Sequence, residues 1–195
     1  MAAGKVCTGF SKPYVALYSA TGTTISYTSG QVLARGVDVS IEAESSDDNN
    51  FYADNVLAES AGKKFTSGTV TLTVDGLKTA AEKLIMGLPT ATGDWMNYGD
   101  DQEIPYVGIG FLARYMSDGV ESWTPIVLVK CMFNEIGTSA ATQEDEIDWQ
   151  TQELSASIHR GDDANHNWKS VGNTEYTTEA AAEAVLKTKL GISTT

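Results

Sequence analysis

The stretch that decides the fold covers residues 105–160 and reads PYVGIGFLARYMSDGVESWTPIVLVKCMFNEIGTSAATQEDEIDWQTQELSASIHR. Two long apolar runs flank an Asp118-Gly119 turn, and a polar loop that becomes acidic leads into a third run. Asp-Gly between two apolar runs is typical of a β-hairpin. The pattern predicts long strands at about residues 106–116, 121–133 and 147–159.

The third of these strands changes phase along its length. Ile147 and Trp149 fall on one face of an extended chain. Leu154 and Ile158 fall on the other. Because successive side chains of a strand point to opposite faces, one inserted residue would reconcile the two halves. We therefore expect a β-bulge near Gln152.

Two segments earlier in the chain alternate between apolar and polar residues, at residues 37–42 and 69–74. This period of two is typical of half-buried antiparallel strands. Further strands are predicted at residues 14–18 and 55–58, whereas residues 22–28 fit a strand or a loop. The positions expected to face the core are Val37, Val39, Ile41, Val70, Leu72 and Val74.

Helical periodicity occurs twice. Residues 77–86 carry apolar residues at helical spacing, with Asp75 as a candidate N-cap and Gly87 as the stop signal. In the tail, Thr177 or Thr178 can cap a helix that runs to Leu190. Its acidic start and basic end match the helix dipole. One apolar face on each helix predicts that both pack on a neighbouring surface.

These elements predict a mainly β fold with two packed antiparallel sheets, as a sandwich or a partly open barrel, one flanking α-helix and a C-terminal helical arm. The length of 195 residues fits one domain with arms. We expect an N-terminal arm at residues 1–13, a β domain at 14–170 and a C-terminal arm at 171–195 that docks on the domain or on a neighbour.

Composition excludes several classes of protein. Hydrophobic residues make up 42% of the chain and charged residues 20%, which fits a globular rather than a disordered protein. Thirteen Lys and Arg residues against 26 Asp and Glu residues give a net charge of −13. Because an acidic surface repels phosphate, tight binding of nucleic acid is not expected.

The cysteines and the N-terminus bear on the cellular compartment. Cys131 lies in an apolar run and fits a small buried hydrophobe, whereas Cys7 lies near the N-terminus, so no disulfide framework is indicated. The first ten residues, MAAGKVCTGF, lack the apolar core of a signal peptide. We therefore expect synthesis and folding in a cytoplasm.

The search for catalytic and metal-binding motifs finds only weak candidates. His159 and His166 are the sole histidines, and their spacing fits no zinc site. Acidic turns at residues 47–50 and 161–163 offer oxygen ligands without the spacing of an EF-hand. Gly108 and Gly110 lie within a predicted strand, where they favour close sheet packing rather than dinucleotide binding. We expect no cofactor, no metal and no enzymatic activity.

Two other function classes stay open. One is a β-sandwich binding module, for example a carbohydrate-recognising adhesin that stacks sugars on the four tryptophans, although Trp123 and Trp149 lie in predicted strands and fit core or interface positions. The other is a hydrolase that uses two carboxylates. Nothing in the sequence singles out such a pair.

Several elements together resemble one family. They are IPYVGIGF at residues 104–111, the Asp-Gly turn, the apolar run IVLVKCMF at 126–133, and the pattern T-x-x-(E/D)-x-I-D-W-Q-T-Q-E-L that begins at Thr142. Together they resemble the major tail proteins that polymerise into the tail tube of long-tailed, non-contractile phages. Weaker agreement extends back to about Val15 and covers roughly the first 170 residues.

The resemblance implies a virion structural protein, made in the bacterial cytoplasm, that forms hexameric rings stacked into a tube. One sheet from each subunit would join an inner β-barrel around the channel, and the helix at residues 77–86 would flank the sheets. The implied partners are other copies of the chain, a tape-measure protein, tail-terminator and tail-tip proteins, and DNA that crosses the lumen without tight binding. The tail beyond residue 169 agrees less well with the family.

A wall that lets DNA pass should carry acidic and hydroxyl side chains, because each Lys or Arg that touches a phosphate adds affinity. The polar positions of the alternating strands fit this requirement. The lumen candidates are Asp38, Ser40, Glu42, Thr69, Thr71, Thr73, Asp148 and Gln150.

A stacking subunit also needs segments that reach its neighbours, and residues 43–56 are the candidate inter-ring loop. The loop begins with polar and acidic residues and then carries two aromatic residues that could anchor in a neighbour's pocket. The inter-ring loop candidates are Ser45, Ser46, Asp47, Asp48, Asn49, Asn50, Phe51 and Tyr52. The alternative is an ordinary surface loop.

Overall fold

The structure is a computed structural model that describes residues 4–47, 49–89, 94–142 and 149–193. Among these residues there are ten strands and two helices. In chain order they are β1 (Val6–Thr21), β2 (Thr24–Val32), β3 (Gly36–Ser45), β4 (Asn49–Ala53), β5 (Val56–Ala61), β6 (Phe65–Val74), α1 (Thr79–Met86), β7 (Val107–Ser117), β8 (Val120–Phe133), β9 (Gln152–His159), β10 (Lys169–Val171) and α2 (Glu179–Lys189).

Eight strands form one large antiparallel sheet in the order β2-β1-β7-β8-β9-β6-β3, with β10 paired to β8. Strand β8 takes part in two differently directed parts of this sheet, which we call walls. Its residues 126–128 pair with β10, and its residues 130–133 pair with β9. The β7–β8 register shifts between Val107 and Ile109, opposite residues 129 and 130 of β8, which is the signature of a bulge. We call β2, β1, β7 and the first part of β8 the first wall, and the last part of β8 with β9, β6 and β3 the second wall.

The two walls enclose the main hydrophobic core. The first wall contributes Val15 and Ile109, and the second wall contributes Leu72 and Leu154, all of them buried. The walls also approach each other away from β8, since a Cβ at Gly36 of β3 would lie 2.1 Å from the Phe10 ring of β1. The mainly β fold with packed antiparallel layers is thus confirmed, and both layers come from one continuous sheet that forms a partly open barrel.

Helix α1 closes this core as the sequence predicts, with Ala81, Ile85 and Met86 buried in it. Gly87 ends the helix in the left-handed conformation, with φ 59°, as expected. The predicted cap is wrong, because Lys78 occupies the N-cap position and makes no side-chain cap hydrogen bond. The carboxylate of Asp75 instead accepts hydrogen bonds from the backbone N–H and the guanidinium of Arg35.

Helix α2 covers the opposite face of the first wall. Its side chains Leu186 and Leu190 are fully buried against Tyr14 and Leu112. The predicted cap is confirmed, since the Thr178 hydroxyl accepts a hydrogen bond from the backbone N–H three residues on. The helix therefore docks on its own domain, which was one of the two arrangements expected for this segment.

Gly110 explains why α2 can approach the sheet so closely. A Cβ at Gly110 would lie 2.7 Å from methyl carbons of both Leu186 and Leu190. Gly108 likewise allows the Tyr27 side chain of β2 to lie against β7, because a Cβ at Gly108 would lie 2.4 Å from the Tyr27 ring. The two glycines of the β7 strand thus serve sheet packing, as the sequence analysis expects.

Several sequence-based boundaries need correction. Residues 6–13, expected to form an arm, are the first half of β1 and pair with β7. Strand β9 begins at Gln152, and its register with β6 is regular, so the bulge expected there is wrong and residues 149–151 are not part of a strand. Val37 does not face the core, because a register shift between Gly36 and Asp38 leaves it 55% exposed.

Candidate lumen face and assembly hairpin

A polar face extends across three adjacent strands of the second wall. Cross-strand pairing places its residues in three rows that run from β3 through β6 to β9. The rows are Asp38–Thr73–Glu153, Ser40–Thr71–Ser155 and Glu42–Thr69–Ser157. Six of the eight lumen candidates thus lie side by side on one surface, which we call the polar face.

The apolar partners of these residues explain the orientation of the face. Val70, Leu72 and Val74 alternate with the three threonines of β6 that belong to the polar face, and they are fully buried. Leu154 and Ile158 do the same on β9. Because a strand alternates its side chains with period two, burial on the core side turns every hydroxyl and carboxylate to the outside.

Sequence reasoning missed the β9 contribution to this face. Glu153, Ser155 and Ser157 were not among the candidates, because the strand was extended back to residue 147 and given a bulge. The signal was present, since three apolar residues alternate from Leu154 onward and require that the residues between them face outward. The other two candidates are not on the rows: Gln150 is exposed before β9, and Asp148 lies outside the described residues.

The polar face is anionic. Its nine residues include three carboxylates, six hydroxyls and no cation. A fourth carboxylate, on Glu44, lies further along β3 beyond the three rows. It accepts a hydrogen bond from the Ser67 hydroxyl at 2.7 Å. Acidic groups without neighbouring cations repel phosphate, and hydroxyl groups keep such a surface hydrated.

One cation at the margin of this face is already paired. Lys130, opposite His159 in the β8–β9 register, donates to the Asp162 carboxylate at 2.8 Å. Its ammonium also lies 4.5 Å from the centre of the Tyr106 ring. Hydrogen bonds from Lys130 and Tyr18 hold the pKa of Asp162 below its usual value. Burial, together with the charge of Lys130, lowers the pKa of His159. The cluster therefore neutralises Lys130 at the bend of β8.

The candidate inter-ring loop is largely a β-hairpin, formed by β4 and β5, which we call the assembly hairpin. These two strands pair with each other in a separate two-stranded sheet. Asp54 and Asn55 make the turn with φ of 51° and 61°, as in the turns that match strand twist best. Ser45 belongs to the end of β3, and Asp48 lies outside the described residues.

The base of the assembly hairpin is narrow. The Ser46 backbone N–H donates to the Lys64 carbonyl at 2.8 Å, and the Lys64 backbone N–H donates to the Ser46 hydroxyl at 3.1 Å. Residues 47–63 thus leave and re-enter the domain at one point. This segment can be replaced without disturbing the pairing of β3 with β6.

The assembly hairpin exposes apolar side chains to solvent. Phe51 is 63% exposed, Tyr52 is 62% exposed and Val56 is 66% exposed. An isolated two-stranded hairpin is marginally stable in water, and it gains stability when a third strand or another surface covers it. The observed conformation therefore favours a role in which a partner buries these side chains.

The large sheet also has two open edges. Among the described strands, β3 pairs only with β6 and β2 pairs only with β1. Unpaired backbone groups along such edges are sites at which another chain can add a strand. The two edges differ in sequence and length, so a contact between them would join unlike surfaces.

The described residues offer no cluster for a metal ion, but they expose two of the tryptophans considered for sugars. No group of three His, Cys, Asp or Glu side chains within residues 4–47, 49–89, 94–142 and 149–193 could hold a metal ion. In the turn at residues 161–167, both Asp163 oxygens accept hydrogen bonds from Asn167 instead. Trp149, expected at a core or interface position, is 83% exposed, and Trp95 is 75% exposed.

No protein-family model matches the chain, and a search of curated proteins finds no match either. The helices of the described residues are all too short or too polar to cross a membrane.

Proposed function

We propose that this protein is a structural subunit of a phage tail tube, without enzymatic activity, which assembles into stacked rings around a passage for DNA. The observation that carries the proposal is the polar face. Three adjacent strands present nine acidic or hydroxyl side chains and no cation on a sheet surface that neither core cluster covers.

The charge of this surface supports a lumen. A wall that touches DNA through Lys or Arg gains affinity for every phosphate contact, whereas a wall of carboxylates and hydroxyls gains none. Asp38, Glu42 and Glu153 are exposed and lack any cation within the three rows. DNA would therefore pass this surface without being held.

The assembly hairpin and the open edges support polymerisation. Ring closure requires two different surfaces on each subunit, and stacking requires a further contact. The unlike edges of β2 and β3 suit the first contact, and the exposed aromatic residues of the hairpin suit the second. Tape-measure, tail-terminator and tail-tip proteins would be the partners at the inner surface and at the two ends.

Electron microscopy of the purified chain tests the proposal. We expect rings or tubes with a central channel in negative stain, either from the chain alone at high concentration or after addition of the other tail proteins. A chain that stays monomeric under both conditions contradicts the proposal.

A second experiment tests the polar face directly. The substitutions Asp38→Lys and Glu42→Lys should permit tube assembly and slow DNA delivery, because they place cations along the passage. The matched control replaces Glu121 and Glu175, which lie outside the polar face in exposed ion pairs worth about 0–1 kcal/mol, with lysine. Equal infectivity of the two double variants would remove these residues from the lumen.

The adhesin alternative has one observation in its favour, the high exposure of Trp95 and Trp149. Exposed indole rings stack on sugar rings in carbohydrate-binding modules. Binding to a glycan array by the monomeric wild-type chain, abolished when both tryptophans are replaced by alanine, would favour that function over the tube.

A further inference from the structure

A cleft beside the base of the assembly hairpin gathers cations. It has a volume of about 430 Å³ and lies where β6 begins and where the chain passes from β9 to β10. Lys64, Arg160 and Lys169 line it. Its apolar wall is formed by Phe65 and Trp168, whose rings stack with centroids 4.4 Å apart. We call this surface the basic cleft.

The cations of the basic cleft have no acidic partner among the residues that the structure describes. Six ion pairs occur among the described residues, and none of them involves Lys64, Arg160 or Lys169. Lys169 lies 5.0 Å from the centre of the Trp168 ring, a contact that leaves its charge uncompensated. In a chain of net charge −13, three such cations around one cleft repel one another, and an acidic occupant would offset that repulsion.

The chain carries a surface of opposite charge in the loop at residues 94–103, which we call the acidic loop. Asp94, Asp100 and Asp101 are exposed there, and none of them takes part in the ion pairs of the described residues. Two aromatic side chains accompany them, with Trp95 75% and Tyr98 45% exposed. The acidic loop thus combines carboxylates with aromatic surface, as the basic cleft combines cations with aromatic surface.

The acidic loop and the basic cleft lie at opposite ends of the second wall. The Gln102 side chain donates to Glu135, two residues beyond the end of β8, which fixes the loop at that end. Phe133 pairs with Ala156, so Glu135 lies level with the start of β9, whereas Arg160 follows the end of β9. Six residue positions separate the two levels, or about 20 Å at 3.3 Å per residue. In this structure the loop and the cleft of one copy therefore lie apart and do not touch.

We propose that the basic cleft receives the acidic loop of a second copy of this chain. The proposal rests on the proposed polymerising function and assigns two of its contact surfaces. Because the two surfaces differ and lie at opposite ends of the second wall, each copy offers a free loop and a free cleft after every addition. Such a head-to-tail contact propagates from copy to copy.

Charge reversal tests the pairing. One variant carries Lys64→Glu, Arg160→Glu and Lys169→Glu; the other carries Asp94→Lys, Asp100→Lys and Asp101→Lys. Each variant alone would oppose like charges, so we expect its self-association to weaken by about 10- to 100-fold. A mixture of the two should associate like the wild-type chain, because each reversed surface then meets its complement. Sedimentation velocity measures the wild-type chain, each variant and the mixture, and circular dichroism verifies the fold.

A matched control separates this contact from a general effect of charge. Lys78, Lys83 and Lys189 also lack ion pairs among the described residues and lie outside the cleft. Their replacement by glutamate changes the net charge as much as reversal of the cleft. We expect this control to associate at least as well as the wild-type chain after correction for its greater net charge.

The outcomes distinguish the pairing from the tube. If the wild-type chain forms tubes and each charge-reversal variant alone also forms tubes, the pairing is overturned and the tube proposal is left intact. A mixture that associates while the wild-type chain forms no rings supports the pairing and contradicts the tube. Monomers in every sample, also after addition of the other tail proteins, contradict both. If the wild-type chain binds a fluorescent oligonucleotide and cleft reversal abolishes that binding without changing association, the cleft binds nucleic acid and the pairing is overturned.

Discussion

Replacement of the two aromatic residues of the assembly hairpin should raise the concentration needed for assembly and leave the subunit folded. The double variant is Phe51→Ala with Tyr52→Ala. The two side chains are 63% and 62% exposed in the isolated chain, so truncation removes little buried surface and creates no cavity in the core. We expect the midpoint of thermal unfolding to change by no more than a few degrees, the range that about 0.5 kcal/mol produces.

The effect on assembly follows from the surface that remains to be buried. Complete burial of a large apolar side chain contributes about 1.5–3 kcal/mol. Burial of the roughly 60% of each aromatic side chain that is exposed therefore contributes roughly 1–2 kcal/mol per side chain. The pair then contributes about 2–4 kcal/mol to each contact. Because 1.4 kcal/mol corresponds to a factor of ten, the critical concentration should rise between about 30-fold and 700-fold.

The assay is pelleting or light scattering over a concentration series, with tubes identified by electron microscopy. The control variant is Val6→Ala with Val120→Ala, since these valines are 66% and 65% exposed at sites away from the hairpin. A deletion removes the whole hairpin: an Asn-Gly turn between Ser46 and Lys64 replaces residues 47–63. The two hydrogen bonds between Ser46 and Lys64 at the base of the hairpin are kept. If the aromatic variant and the valine control assemble at the same concentration, the hairpin is not an assembly contact.

The remaining predictions concern the isolated subunit. Burial alone would raise the pKa of Glu183, but hydrogen bonds and nearby cations hold it at about 2 instead of 4.5. The ionised carboxylate therefore stabilises the docked α2 above pH 4.5. This stability is lost as the pH falls toward 2. Denaturant titrations should therefore show a loss of about 1–2 kcal/mol over this pH window that is absent from Glu183→Gln. Gly87→Ala should destabilise the fold by at least about 2 kcal/mol in the same assay, because φ is 59° and a Cβ would lie 1.7 Å from a carbonyl oxygen. The control Gly137→Ala, with open space around it, should be nearly neutral. Burial raises the pKa of the Cys131 thiol, so a thiol reagent should modify the exposed Cys7 alone until the chain unfolds; two fast-reacting thiols in the native protein would contradict this.

Sequence periodicity predicts the buried positions of β6 and the apolar faces of both helices. The burial of Val70, Leu72 and Val74 follows from strict alternation, and the end of α1 and the start of α2 follow from helical spacing, the stop signal Gly87 and the cap Thr178. In these segments local preference and tertiary packing agree, so a single period describes both. The β3 and β6 parts of the polar face are predicted for the same reason, since they are the other side of alternating strands, whereas the β9 part was missed.

Periodicity failed where long-range pairing decides the conformation. The bulge that exposes Val37 depends on the register of β3 against β6, and no local signal reports that register. Strand β10 has only three residues and exists because β8 offers it an edge. The pairing of Asp75 with Arg35 joins residues 40 positions apart, whereas the predicted cap used only its neighbours. The basic cleft was missed because β6, β9 and the turn before β10 bring its three cations together only in the fold.

The continuity of β8 has a mechanical consequence. One uninterrupted strand contributes to the wall that carries α2 and to the wall that carries the polar face, and its bend is clamped by the contacts of Lys130 with Asp162 and Tyr106. Neither wall can rotate without bending this strand further, so the subunit responds to load as one stiff body. A force applied to the polar face would pass through this strand to α2 without a hinge to absorb it.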